Sequence, residues 1–81
     1  EVSLPVQGTV SRLLHIHRNQ PGVLNRINQA FASEGINIAA QYLQTNATIG
    51  YVVVDIESER SEEALAMLKD IDGTIRARIL L

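Results

Sequence analysis

Apolar and polar residues alternate early in the chain and predict a strand over residues 10–17, VSRLLHIH. Both of its sides carry apolar or aromatic groups. Val10, Leu14 and Ile16 fall on one side, interrupted by Arg12, and Leu13, His15 and His17 fall on the other. Pro21 stops this strand and can open a helix, because the N–H it lacks is not needed in a first helical turn. Over residues 21–34 the apolar positions Val23, Leu24, Ile27, Ala30 and Phe31 recur at the spacing of one buried helical stripe, and Gly35 terminates it. Residues 36–45, INIAAQYLQT, read as a second strand. After a turn at 46–48, residues 49–57 read as a third, with Val52, Val54 and Ile56 on one side. So short a link predicts an antiparallel hairpin. Ser61 is placed to N-cap a second helix, with Glu62 and Glu63 at its positive end. Ala64, Leu65, Leu68 and Ile71 form that helix's stripe, and Gly73 ends it. Residues 74–80 alternate as a last strand, with Ile75, Ala77 and Ile79 expected inward and Arg76 and Arg78 outward.

The order βαββαβ predicts an α+β, ferredoxin-like fold: a four-stranded antiparallel sheet with two helices on one face. Right-handed crossovers set the strand order 4-1-3-2. The uncovered face is expected to carry Leu13, His15, His17, Tyr51, Val53, Arg76 and Arg78. Residues 1–8, with Pro5 and Gly8, lack this periodicity and read as a linker or hinge from a preceding domain, leaving 9–81 as the folded unit. The chain begins at Glu1 and its single methionine is Met67, as expected of a piece of a longer chain.

Composition narrows the function. Among 81 residues, 46% are hydrophobic and 20% charged, a globular balance that argues against disorder. The absence of cysteine removes disulfides, thiolate metal sites and cysteine nucleophiles. A net charge of −2 and only three aromatic residues give no signature of a nucleic-acid-binding sheet. No apolar run reaches the ~20 residues that span a bilayer. The carboxylates Glu57, Glu59, Glu62 and Glu63 surround a helix N-terminus, where dipole complement and solvation account for them. No nucleophile elbow, P-loop or dinucleotide fingerprint occurs.

The segment His15–Leu24, HIHRNQPGVL, carries the most chemistry. It joins the first strand to the first helix, where unpaired N–H groups favour a carboxylate. Gly22 permits close approach to the backbone. Asn19 offers both a donor and an acceptor, as an amino acid's ammonium and carboxylate require. Asn37 supplies a second amide after Gly35. Two readings of Asn19 and Asn37 stand at this point, turn residues or ligand contacts. His15 and His17, two apart, share a strand face. They read either as packed and hydrogen-bonding side chains or as a metal pair lacking a third ligand.

The run Asn19-x-Pro21-Gly22-Val23-Leu24, followed by Gly35-Ile36-Asn37-Ile38, resembles the ACT domains, small βαββαβ modules that bind amino acids and regulate attached enzymes. His15-Ile16-His17, the stretch 38–45 (IAAQYLQT), Gly50-Tyr51-Val52-Val53 and Gly73-Thr74-Ile75-Arg76-Ala77-Arg78 sharpen the likeness. Together they are similar to the C-terminal regulatory domains of serine-inhibited D-3-phosphoglycerate dehydrogenases, over nearly the whole chain. The resemblance implies a non-catalytic domain that binds L-serine between two ACT domains of neighbouring subunits and transmits feedback inhibition. It implies His17 and Asn19 as contacts from one subunit and Asn37 from its partner. Backbone N–H groups near Val23 and Leu24 would meet the ligand carboxylate, with Pro21 and Gly22 shaping the loop. It also implies no cofactor here, NAD in another domain of the parent enzyme, a homodimer within a tetramer, and a cytoplasmic setting. Neither nucleic acid nor membrane is an expected partner. Gly8-Thr9 stands where relatives carry a glycine pair. The rival readings are an ACT pairing module with another amino-acid ligand or none, and a metal-binding domain using His15 and His17.

Overall fold

The computed structural model describes residues 10–57 and 59–81. The proposed linker 1–8 and the Gly8-Thr9 hinge lie outside them. The elements are β1 (Ser11–Arg18), α1 (Val23–Ser33), β2 (Ile38–Thr45), β3 (Ile49–Ile56), α2 (Ser61–Lys69) and β4 (Thr74–Ile79). The sheet order is β2-β3-β1-β4, all neighbours antiparallel, which is the expected order read from the other edge. No helix among the described residues is long and apolar enough to cross a membrane.

The helices cover one sheet face. Val23, Ile27 and Phe31 of α1 and Ala64 and Leu68 of α2 are buried against Leu13, Val52, Val54, Ile56 and Ala77. Helix α1 starts later than expected. Gly22 has φ +86°, a left-handed backbone that cannot continue a helix, so Pro21 stands in the preceding turn and Val23 is the first helical residue. The helix ends as expected before Gly35, where the Ile36 N–H reaches back to the Phe31 carbonyl. Ser61 is not the cap of α2. It is the first helical residue, and Arg60 precedes it, its guanidinium bound to Glu63 and to the Glu34 carbonyl.

Two expectations about sheet faces are corrected. Leu13, His15 and His17 stand opposite Val54, Val52 and Gly50, so they lie on the helix-covered face, not the open one. All three are buried. Strand β1 is apolar on both sides, and its own pattern cannot say which side meets the helices. Its pairing with the apolar side of β3 decides it. The open face carries Arg12, Leu14, Ile16 and Arg18 instead, beside Tyr51, Val53, Arg76 and Arg78. Ile75 is also displaced. His17 pairs with Thr74 while Ile16 pairs with Arg76, so Ile75 is the extra residue of a bulge. It is 53% exposed, whereas Ala77 and Ile79 pack inward as expected.

Candidate functional site

Strand β1 delivers His15, His17 and Asn19 in succession to one end of the domain. His15 is fully buried between Val52 and Ala77. Its Nε2 lies 2.7 Å from Thr74 Oγ1, and that hydroxyl lies 2.6 Å from the Ile71 carbonyl. A hydroxyl has one proton, and the carbonyl can only accept. Thr74 therefore donates to the carbonyl and accepts from His15, which fixes the proton on Nε2. Nδ1 is left with a lone pair, buried and without a partner, and His17 Nδ1 is buried in the same condition. The rings stack with centroids 5.4 Å apart. Burial first, and then the neighbouring imidazole, push the His15 pKa down to about 4. Burial lowers His17 as well.

The stacked arrangement argues against the metal reading. The two rings lie face to face at an interplanar angle of 26°, and both are buried. No group of three or more metal-ligating side chains occurs among the described residues. His17 instead fits under the hairpin. A Cβ on Gly50 would come within 2.8 Å of its Nε2, so only glycine admits the ring there.

Asn19 is exposed and tied to the β2–β3 turn. Its Nδ2 donates to the Asn46 carbonyl at 2.5 Å, and its backbone N–H donates to the Thr48 carbonyl at 3.0 Å. Asn46 closes that turn through its own side chain, accepting from the N–H groups of Thr48 and Ile49. Reading the sequence located the turn but missed Asn46 as the anchor of Asn19. An Asn opening a turn two residues before a threonine is the available signal. Gln20, also missed, donates to the Asp72 carbonyl and packs on Gly73, bracing the loop from the other side. The start of α1 that follows is electrostatically bare. It has no side-chain cap and no acidic residue in its first turn, whereas α2 carries Glu62 and Glu63. Val23 is buried and Leu24 half-buried, while Pro21 and Gly22 are exposed.

Asn37 lies elsewhere. It precedes β2, and its Nδ2 donates to Glu57 at the far end of β3. With Asn28, Ala32, Gly35, Ile36 and Ile38 it lines a shallow groove of about 380 Å³ on the α1–β2 edge. A smaller hollow of about 90 Å³, lined by Gln44, Thr45, Asn46, Ile49 and Tyr51, marks the opposite end of that edge. The structure thus brings together His17, Asn19 and the loop into Val23 and Leu24, but not Asn37. Asn19 and Asn37 lie at opposite ends of β2, roughly 25–30 Å apart at strand rise.

The profile of the AHAS small subunit-like ACT domain matches residues 13–76. The chain belongs to the ACT-domain family. It is 60% identical over 80 residues to D-3-phosphoglycerate dehydrogenase of Haemophilus influenzae, covering 99% of this chain and 20% of that one. It is 60% identical over 82 residues to the enzyme of the same name from Escherichia coli K12, with the same coverage. The chain therefore spans about a fifth of the length of the curated relatives it matches. Among solved structures, the ACT domain of GTP pyrophosphokinase from Chlorobium tepidum superimposes with a TM-score of 0.75 at 15% identity, over 88% of this chain and 96% of that one. That likeness shows the fold. The relatives show that this ACT domain is of the regulatory type found in phosphoglycerate dehydrogenases.

Proposed function

We propose that this ACT domain binds L-serine in a site shared with a second copy, and that it exerts feedback control on an NAD-dependent D-3-phosphoglycerate dehydrogenase in the same chain. The observation that carries the shared site is the separation of the amides. Asn19 and Asn37 cannot serve one small ligand within a single domain, because the length of β2 lies between them. β2 is an edge strand. Antiparallel apposition of two β2 edges about a two-fold axis sets the start of one strand against the end of the other. Asn37 of the partner subunit then approaches Asn19, and the same contact covers two open sheet edges.

The chemistry follows from the bare helix start. Val23 and Leu24 contribute backbone N–H groups at the positive end of α1, where the chain supplies neither cap nor acid, and the ligand carboxylate takes that place. Gly22, exposed and without a side chain, leaves the approach open. Asn19 and the partner's Asn37 present carbonyl oxygens to the ammonium and amide protons to the carboxylate or hydroxyl. His17, neutral and held under Gly50, lines the floor. A ligand of about seven heavy atoms reaches at most about −10 kcal/mol, so micromolar binding, about −8 kcal/mol, requires nearly every polar group to be met. A pocket between two subunits meets that demand and ties occupancy to subunit geometry. An inhibitory coupling of about 1–3 kcal/mol is the usual size of such a link.

Mixing two variants tests the reading. Asn19→Ala and Asn37→Ala each weaken L-serine binding by about 1–3 kcal/mol in the homodimer, by leaving a ligand group unpaired. In an equimolar mixture that exchanges subunits, each heterodimer carries one intact and one doubly damaged site. Recovery of wild-type affinity in about a quarter of the sites is expected. No recovery on mixing means that the two amides do not meet across subunits, and unchanged affinity in both variants removes them from the site.

A further inference from the structure

Both amides of the proposed site have a defined orientation, and the chemistry of their partners fixes it. The side chain of Asn37 binds the carboxylate of Glu57. An ionised carboxylate can only accept, so the group facing it is the NH2 of Asn37 and not its carbonyl oxygen. Asn19 binds the main-chain carbonyl of Asn46, which also can only accept, so its NH2 is likewise turned toward its own chain. Among the described residues neither Oδ1 has a hydrogen-bond partner. Each amide is left with its oxygen as the free acceptor.

The main chain at Asn37 is held from both sides. The Glu57 N–H donates to the Asn37 carbonyl at 2.9 Å, and the flanking Ile36 and the facing Ile56 are buried. Just beyond, Ile38 pairs with Ile56 and Ala40 with Asp55, so Ala39 is the extra residue of a bulge that re-aims the strand. The side chain of Asn37 has no such support. It is exposed, and its two torsions are free apart from the contact with Glu57. A ligand that had to order this amide itself would lose affinity to the ordering. The sequence groups Glu57 with the carboxylates before and within the first turn of α2. Glu62 and Glu63 do stand in that turn, but Glu57 serves Asn37.

We infer that Glu57 is a positioning residue for the amino-acid site: it holds the Asn37 amide with its NH2 turned away, so that Oδ1 is presented to the ammonium of a ligand seated against the neighbouring subunit's loop. The inference rests on the function proposed above and adds to it a residue that touches no ligand. An ammonium carries three donors and no lone pair, so only acceptors can meet it, and the oxygens of Asn19 and Asn37 supply one from each chain. A flipped Asn37 would set donor against donor. The bond to a carboxylate also polarises the amide, which makes its oxygen a stronger acceptor.

A cycle of variants titrated with L-serine tests it. Glu57→Ala should weaken binding about five- to tenfold, and Glu57→Gln, which keeps an acceptor, by less than about threefold. In an Asn37→Ala background, Glu57→Ala should change affinity by less than about twofold, because Glu57 then has nothing to hold. Asn37→Asp should lose more than Asn37→Ala, since two carboxylates face one another. Adding Glu57→Gln to Asn37→Asp should recover at least about tenfold, its amide donating to the new carboxylate and leaving an oxygen for the ammonium. Both side chains are exposed, so urea midpoints should stay within about 0.5 M of wild type and solution masses should not change. A merely structural pair would show its loss and rescue in the midpoints instead. Unchanged affinity in Glu57→Ala overturns the inference. So do losses that add in the double alanine variant, and a loss that comes with a fall to monomer. Wild-type protein that binds L-serine beside an unaffected Glu57→Ala faults the positioning role alone. Wild-type protein that binds no L-serine faults the serine site, and the positioning role with it.

Discussion

Acid should expose the cost of burying His15. In the folded domain the imidazole is neutral, its Nε2–H donates to Thr74, and its Nδ1 lone pair faces protein with no donor in reach. Folding lowers its pKa from about 6.5 to about 4. The sign follows directly. Above pH 6.5 the residue is neutral in both states and contributes no pH dependence. Between pH 6.5 and 4 the unfolded chain takes up a proton that the folded chain refuses, so stability falls as pH falls. One pKa unit corresponds to about 1.4 kcal/mol, and over the interval from pH 7 to pH 5 His15 alone removes about 2 kcal/mol. That is a large share of the stability of a domain this small. The assay is urea unfolding at fixed protein concentration across this pH range, where most carboxylates are still ionised. His15→Leu keeps the apolar packing and should abolish about 2 kcal/mol of the pH dependence. His17, shifted in the same direction by burial, adds to the fall in stability. A wild-type stability that is flat from pH 7 to 5, or a slope unchanged in His15→Leu, would refute the assignment.

Other substitutions test the packing and the loop. Phe31→Ala, at a fully buried position of α1, should cost about 3–5 kcal/mol in urea unfolding. Gly50→Ala forces a methyl to 2.8 Å from both the His17 ring and Thr45 Cγ2. It should destabilise by about 1–3 kcal/mol and weaken L-serine binding measured by calorimetry. Ile75→Thr, at the bulge, should change stability by less than about 0.5 kcal/mol, where an inward-facing isoleucine would lose far more.

Much of this architecture is legible in the residues. The helical stripe Val23, Ile27, Phe31 and the apolar side of β3, Val52, Val54, Ile56, each have one buried face, and periodicity reads them correctly. The failures occur where periodicity is ambiguous or interrupted. β1 is apolar on both sides, so the placement of Leu13, His15 and His17 depends on pairing with β3, a contact some 40 residues away in sequence. Ile75 continues the alternation of β4 in the sequence, but the bulge opposite Ile16 and His17 turns it outward. Pro21 carries a helix-start signal that Gly22 overrides through its left-handed backbone. At the site, the loop HIHRNQPGVL was recognisable from its motif, but the anchoring of Asn19 by Asn46 is a tertiary contact without local periodicity. The distance between Asn19 and Asn37, on which the proposed two-chain site rests, follows only from the topology.

The most direct test of the central claim is calorimetric titration of this chain with L-serine, with glycine and D-serine as controls, alongside its mass in solution. The account predicts a dimer that binds L-serine selectively, because the site spans two chains and rewards both the hydroxyl and the handedness of the ligand. A folded dimer that binds no L-serine, or binds glycine equally well, would contradict it and leave a pairing module without this effector.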